Sequence, residues 1–97
     1  MAWRLSGKAE EDLIAIWLQG ARAFGANQAD RYQDSFEMAF ALLAEFPELA
    51  RERTELTPPI WVHPCGVHLI VYLVRPDADI FVVRVRHSRE DWTSDPT

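Results

Sequence analysis

The stretch that decides the fold is WRLSGKAEEDLIAIWLQGARAFGANQADRYQDSFEMAFALLAEFP, residues 3–47. Apolar residues recur in it at steps of three and four, as they do on the buried face of an amphipathic helix. Ser6 is suited to cap a first helix and Gly25 to end it. Asn27 is predicted to cap a second helix, which Pro47 ends. Because the connection is so short, the two helices are predicted to fold back as an antiparallel hairpin. The predicted buried stripes are Ala9, Leu13, Ile16, Trp17, Ala21 and Phe24, then Ala29, Tyr32, Phe36, Ala39/Phe40, Leu43 and Phe46.

Runs of strand-forming residues lie on both sides of this hairpin. Trp3-Arg4-Leu5 precedes it, and three longer runs rich in β-branched and aromatic residues follow it. The turns between those three runs are short, so the runs are predicted to be antiparallel neighbours. Val67–Val74 is apolar on both faces apart from His68, which indicates a central strand. The three runs are Ile60–His63, Val67–Val74 and Ile80–His87.

The order of these elements predicts an α+β fold. It consists of an N-terminal strand, an antiparallel α-helical hairpin and a three-stranded antiparallel meander, with both helices on one face of a small antiparallel sheet. Residues 47–59 are polar, end in two prolines and are interpreted as a surface loop. Because the hairpin can cover one sheet face only, the other face is left to solvent or to a partner.

Size and composition indicate a single domain spanning residues 1–97. Of these residues, 48% are hydrophobic, which is more apolar material than a small monomer needs and favours a partner that covers part of it. Cys65 has no second cysteine to pair with, as is usual in a reducing cytosol. No signal peptide is expected, since charges arrive within the first twelve residues, and no stretch approaches the roughly 18 apolar residues of a membrane span. We therefore expect a cytoplasmic protein without membrane association.

Charge is distributed unevenly along the chain. The net charge is −5, yet residues 84–89 contain Arg84, Arg86 and Arg89 and no acid. Three arginines are too few to hold DNA or RNA strongly, because polyanion binding depends on releasing many counterions. They suit the bidentate recognition of a carboxylate or of one phosphate. Direct nucleic-acid binding is therefore not expected.

Side-chain alternation on the last strand suggests where these arginines point. Ile80, Val82, Arg84 and Arg86 would share one face, and Phe81, Val83, Val85 and His87 the other. The second set is predicted to pack under the helices, which leaves Arg84 and Arg86 on the open face. The alternative is that these arginines are solvated or form salt bridges with acids of the helices. Trp3, Trp61 and Trp92 lie at element ends, where large aromatic residues often contact partners.

The remaining candidate residues do not indicate a metal, a cofactor or a catalytic array. His63, His68 and His87 match no zinc-binding spacing, and the sequence contains no glycine-rich phosphate loop. His87 adjoins Arg86 and Arg89, where it can serve as a proton donor or a contact group. We expect no metal, no cofactor and no catalytic residue.

The order and spacing of these residues resemble the ParE branch of the RelE/ParE toxins, also called plasmid-stabilisation proteins. The resemblance runs from residue 3 to about residue 92. It is carried by Leu5-Ser6, Ala9, Asp12-Leu13, Ile16-Trp17, Phe24-Gly25, Gln28-Ala29 and Tyr32, and then by Val71-Tyr72, Val83-Arg84-Val85 and His87. The RelE branch shares the fold but consists of ribosome-dependent ribonucleases, which use a cluster of Lys, Arg and a C-terminal Tyr. Here the pI is about 5.0, Lys8 is the only lysine and no tyrosine follows Tyr72, so the ParE branch is favoured.

Membership of that branch implies a toxin that inhibits DNA gyrase and that a ParD-like antitoxin neutralises. It implies a poison rather than an enzyme. The alternatives are a RelE-like ribonuclease and a non-toxic binding module. The residues assigned to toxicity are Arg84, Arg86, His87, Arg89 and Trp92, and those assigned to antitoxin binding are Trp61, Arg84 and Arg86.

Overall fold

The helical hairpin is present in the computed structural model, which describes residues 2–53, 60–76 and 79–90. Helix α1 spans Gly7–Phe24 and helix α2 spans Ala26–Glu45, with one residue between them. The Ser6 hydroxyl caps α1 by accepting the N–H of Ala9 at 3.0 Å. Gly25 makes the reversal possible, because its φ of +92° lies in the region that other residues rarely adopt.

Three details of the predicted hairpin were wrong. Asn27 lies inside α2 and not at its cap, since the cap position is Gly25 and no side chain caps this helix. Phe24 and Phe46 continue the three-and-four spacing, but both are exposed. Each lies at an end of its helix, where the helix no longer covers the sheet. The central residues of the stripes, among them Leu13, Phe36 and Phe40, do form the core.

The sheet has one strand more than predicted. Its order is β1-β5-β4-β3-β2, and β3, β4 and β5 form the predicted antiparallel meander with β4 inside. The strands are β1 (Trp3–Leu5), β2 (Arg51–Arg53), β3 (Ile60–Cys65), β4 (His68–Val74) and β5 (Ile80–His87). Strand β2 lies within residues 47–59, which were interpreted as a loop, and pairs antiparallel with β3. Residues 54–59 of that segment lie outside the described residues.

The extra strand explains why the sheet is mixed and not wholly antiparallel as predicted. Strand β1 pairs with β5 in parallel, with Trp3 opposite Ile80 and Leu5 opposite Val82. Each short connection reverses the direction of the chain, and β2 adds one reversal between the hairpin and the meander. That reversal turns β5 to run in the same direction as β1.

Both helices pack on one face of the sheet, as predicted. The cluster on this face joins residues of α1 and α2 to Ile70, Tyr72, Ile80, Val82 and Val85. A second cluster, which contains no helix residue, consists of Ile60, Val71 and Val83 with Val62, Leu69, Leu73 and Phe81 packed against it. No helix in the described part of the chain is long and apolar enough to cross a membrane.

The assignment of β5 side chains to the two faces was half wrong because β5 contains a bulge. Val71 pairs with Arg84 and Tyr72 with Val82, which leaves Val83 without a partner on β4. An extra residue of this kind reverses the alternation of side chains beyond it. Val85 therefore lies on the helix face as predicted, but Phe81 and Val83 belong to the opposite face.

Candidate functional site at the end of strand β5

The bulge brings Arg84 to helix α1 and not to a partner surface. The Asp12 carboxylate accepts from Arg84 Nε at 2.8 Å and from Arg84 Nη2 at 2.9 Å. It also accepts the backbone N–H of Val85 at 2.9 Å, so one side chain of α1 holds both the guanidinium and the strand just after the bulge. The side chains of Arg84 and Asp12 are only 19% and 16% exposed. The alternative of a salt bridge to a helix acid is therefore correct for Arg84.

Arg86 is also engaged by a carboxylate. Its Nε and Nη2 donate to Glu90 at 3.1 and 2.9 Å, within a turn that follows β5. Glu90 accepts the backbone N–H of His87 at 2.8 Å as well. That backbone hydrogen bond, together with the Arg86 guanidinium, holds the pKa of Glu90 below its ordinary value. The positive charge of Arg86 is thus largely balanced inside the chain.

Arg89 is the exposed cation of this strand end. Among the residues the structure describes, its guanidinium makes no ion pair, while its backbone N–H donates to His87 Nδ1 at 3.1 Å. This contact makes Nδ1 of His87 an acceptor and places the proton of the neutral ring on Nε2. Arg89 and His87 are therefore adjacent, as the sequence predicts, and differ from Arg84 and Arg86 in having no carboxylate partner among those residues.

His87 belongs to a three-residue array that the sequence did not reveal. His68 lies directly opposite it on β4, and the two ring centroids are 5.2 Å apart. Tyr32, on α2, places its hydroxyl 2.7 Å from His68 Nδ1, accepts the N–H of Val67 at 3.1 Å and lies 3.3 Å from the Cys65 carbonyl. The three residues are far apart along the chain, so only the pairing register could have connected them.

Burial controls the protonation of this array. It lowers the pKa of His68, and the neighbouring His87 lowers it further, while burial raises the pKa of Tyr32. Both groups are thus neutral near pH 7. They form a hydrogen-bonded floor without net charge.

This floor lies in a cleft between the hairpin and the ends of β4 and β5. The cleft has a volume of about 400 Å³, and its described lining contains no Asp, Glu, Lys or Arg. It suits an apolar side chain whose polar edge meets the histidines. No group of three His, Cys, Asp or Glu side chains suited to hold a metal occurs among residues 2–53, 60–76 and 79–90. The lining is Ile16, Gln19, Gly20, Ala23, Phe24, Gln28, Tyr32, Val67, His68 and His87.

The two tryptophans assigned to partner surfaces have different outcomes. Trp61 is half-buried, stacks on Tyr72 with centroids 6.3 Å apart, and packs against the core cluster beneath the helices. It does not lie on the open sheet face as expected. Trp92 lies outside the described residues.

Comparison with known proteins adds a family to this geometry. A family model described as the ParE toxin of the type II toxin–antitoxin system parDE matches residues 3–92. A protein named Toxin ParE from Escherichia coli is 32% identical over 90 residues, which cover 93% of this chain and 87% of that protein. Toxin ParE1 of Caulobacter vibrioides is 27% identical over 85 residues, covering 88% of this chain and 86% of that one.

A solved structure has the same fold. It is described as the chromosomal ParDE TA system from P. aeruginosa, and its matching chain superposes with a TM-score of 0.76 at 17% identity. The match covers 90% of this chain and 95% of that chain. The order of helices and strands is therefore shared over nearly the full length of both.

Proposed function

The chain belongs to the ParE toxin family of type II toxin–antitoxin systems, and on that premise we propose that it inhibits DNA gyrase in the cytoplasm and is neutralised by a ParD-like antitoxin. The family match extends over residues 3–92 and includes both the hairpin and the end of β5. The family leaves open which cellular machine is poisoned. The chemistry of the strand-end cleft bears on that choice.

The uncharged cleft is the observation that carries the proposal. An RNA-cleaving site needs cations to hold the phosphate backbone and to stabilise the charge that develops on phosphorus. The described lining contains no Lys or Arg, and the guanidinium groups of Arg84 and Arg86 are bound to Asp12 and Glu90. The cleft and strand end are better suited to recognise a protein surface than to cut RNA.

The gyrase-binding surface is proposed to consist of the exposed end of β5 and the tail beyond it. Arg89 and His87 supply hydrogen-bond donors, and Trp92 supplies an aromatic anchor from the tail. Arg84, by contrast, anchors the strand to α1 and is removed from this surface. Replacement of Arg89 by Ala is expected to weaken gyrase inhibition about tenfold or more, since a charge-assisted hydrogen bond contributes about 1.5–3 kcal/mol. Arg75→Ala is the matched control, because Arg75 is exposed at the other end of the meander and stacks over Phe81.

The antitoxin is proposed to bind through a C-terminal segment that is disordered when free and wraps the domain. Its acidic side chains would compete with Glu90 for Arg86, and with Asp12 for Arg84. Because the Asp12 contact is bidentate and half-buried, Arg86 is the arginine more accessible to the antitoxin. Calorimetry of the complex should therefore show a larger loss of affinity for Arg86→Ala than for Arg84→Ala. Equal affinity of the Arg86→Ala and unmodified chains would remove Arg86 from the interface.

Expression in bacterial cells tests the proposed activity. The lone chain should arrest growth and induce a DNA-damage reporter, and co-expression of the antitoxin should restore growth. Arrest with immediate loss of translation and no DNA-damage response would contradict gyrase inhibition. Unimpaired growth with abundant folded chain would favour the non-toxic binding module.

A second candidate, a RelE-like ribonuclease, is favoured by one observation only. Tyr32, His68 and His87 form a connected array of groups that can donate and accept protons in an open cleft. If the array were catalytic, His87→Ala would abolish ribosome-dependent cleavage of messenger RNA. No cleavage by the unmodified chain would eliminate this candidate.

A further inference from the structure

Helix α2 exposes a line of apolar side chains that neither the fold nor the strand-end cleft accounts for. Met38, Leu42 and Phe46 are 74%, 41% and 53% exposed. They follow each other at intervals of four residues, so they lie on one side of the helix and form a continuous surface. The core of the protein uses a different side of α2, that of Phe36, Phe40 and Leu43. We refer to Met38, Leu42 and Phe46 as the α2 stripe.

The α2 stripe leads into a second cleft at the C-terminal end of the helix. This cleft has a volume of about 520 Å³ and is lined by Glu45, Phe46, Pro47, Glu48, Leu49 and Val74. Leu49 is itself 55% exposed, so the apolar surface continues past the end of the helix. A row of apolar side chains that ends in a cleft is the form of a groove that receives an amphipathic helix.

Negative charge surrounds this end of the stripe. Glu45 and Glu48 line the second cleft, and the last turn of α2 contains no basic residue that would offset the negative end of the helix dipole. Asp34 lies one turn before Met38 on a neighbouring line of the helix. Arg31, the cation closest to the line of the stripe, lies about two turns before Met38 and therefore away from the carboxylates.

This charge pattern distinguishes between possible occupants. A second copy of the chain, packed by two-fold symmetry, would place Glu45 and Glu48 against the same residues of the other copy, which is unfavourable. An anionic membrane surface would be repelled in the same way. A segment with Lys or Arg beside its apolar residues would be attracted.

We propose that the α2 stripe is a docking surface for a cationic amphipathic helix of a partner protein. The helix places apolar residues at intervals of three or four on Met38, Leu42 and Phe46, and its Lys or Arg side chains near Glu45 and Glu48. This surface shares no residue with the strand-end cleft and has the opposite charge preference. It goes beyond the proposed function, because it holds whether the toxin acts on gyrase or on the ribosome.

The test measures binding of two designed helical peptides to the full chain by calorimetry and by NMR chemical-shift mapping. Both peptides carry leucines along one face; one has lysines beside them and the other has glutamates in the same positions. Leu42→Asp removes the centre of the stripe. Leu18→Asp is the matched control, since Leu18 is 44% exposed on α1 and lies outside the stripe. Circular dichroism verifies that both variants are folded.

We expect the lysine peptide to bind, to shift the resonances of α2 around Leu42, and to lose about tenfold or more in affinity with Leu42→Asp but not with Leu18→Asp. The glutamate peptide should bind at least tenfold more weakly. The proposal is overturned if neither peptide binds, if both bind equally, or if Leu18→Asp has the larger effect. It is also overturned if the unmodified chain self-associates in ultracentrifugation and Leu42→Asp makes it monomeric, since a second copy would then be the occupant.

Discussion

Replacing Asp12 by Ala should destabilise the protein more than any other substitution of an acid on α1. The Asp12 carboxylate accepts three hydrogen bonds, two from the guanidinium of Arg84 and one from the backbone N–H of Val85. It is the direct link between α1 and β5 at the bulge. Without it, a half-buried guanidinium and a strand N–H both lose their acceptor.

The structure sets the magnitude of this loss. Exposed ion pairs contribute about 0–1 kcal/mol, whereas breaking a fully buried pair costs about 3–5 kcal/mol. The Arg84 and Asp12 side chains, 19% and 16% exposed, lie between these limits. The backbone hydrogen bond to Val85 adds about 1 kcal/mol. We therefore expect Asp12→Ala to lower the free energy of unfolding by about 2–3 kcal/mol and the melting temperature by about 10–20 °C.

Urea unfolding of a double-mutant cycle with Arg84→Ala measures the pair itself. The expected coupling energy is about 1–2 kcal/mol, and Asp12→Ala should cost more than Arg84→Ala because only Asp12 also holds Val85. Glu11→Ala, an exposed neighbour, serves as the control and should change stability by less than about 0.5 kcal/mol. A coupling energy near zero, with Asp12→Ala no worse than Glu11→Ala, would refute the reasoning. Arg84 would then be available to a partner after all.

Two further predictions concern the strand turn and the histidines. Gly66→Ala should cost about 2 kcal/mol or more in urea unfolding, because Gly66 has a φ of +60° and a Cβ there would lie 2.5 Å from the Tyr32 hydroxyl oxygen. Gly20→Ala, where a Cβ meets Ala29 at an ordinary 3.6 Å, should instead stabilise by about 0.5–1 kcal/mol. Burial lowers the pKa values of His63 and His68 below 6.5 in the folded state, so the unfolded chain binds more protons and stability should fall as pH drops from about 7 to 5. A His68→Gln variant should show a smaller fall over that range, and an unchanged slope would exclude His68 as a cause.

Local sequence signals were sufficient to predict the hairpin and the meander. Ser6 caps α1 and Gly25 reverses the chain because their side chains, or the lack of one, determine the local backbone. The alternating and continuous apolar runs likewise located the three long strands. These features depend on residues that are close in sequence, where propensity and periodicity apply directly.

The features that the sequence did not predict depend on pairing between distant segments. Strand β2 has three charged residues, RER, and no apolar pattern, so only its pairing with β3 identifies it as a strand. The bulge at Val83 is visible only from the register of β4 against β5, and it reversed the faces assigned to half of the last strand.

The candidate site shows the same division. That arginines and a histidine end the last strand is plain from the sequence, but which of them is exposed is decided by Asp12 and Glu90. The array of Tyr32, His68 and His87 was missed because its members come from α2, β4 and β5. A possible signal was the polar His68 within the otherwise apolar run of the central strand.

Inhibition of purified DNA gyrase is the measurement that tests the central claim most directly. Supercoiling of relaxed plasmid is followed as the chain is titrated, beside a parallel assay of messenger RNA cleavage on ribosomes with the same preparation. The account predicts that supercoiling is inhibited, that the antitoxin restores it, and that the messenger RNA stays intact. Uninhibited supercoiling together with ribosome-dependent cleavage of the messenger RNA would contradict it.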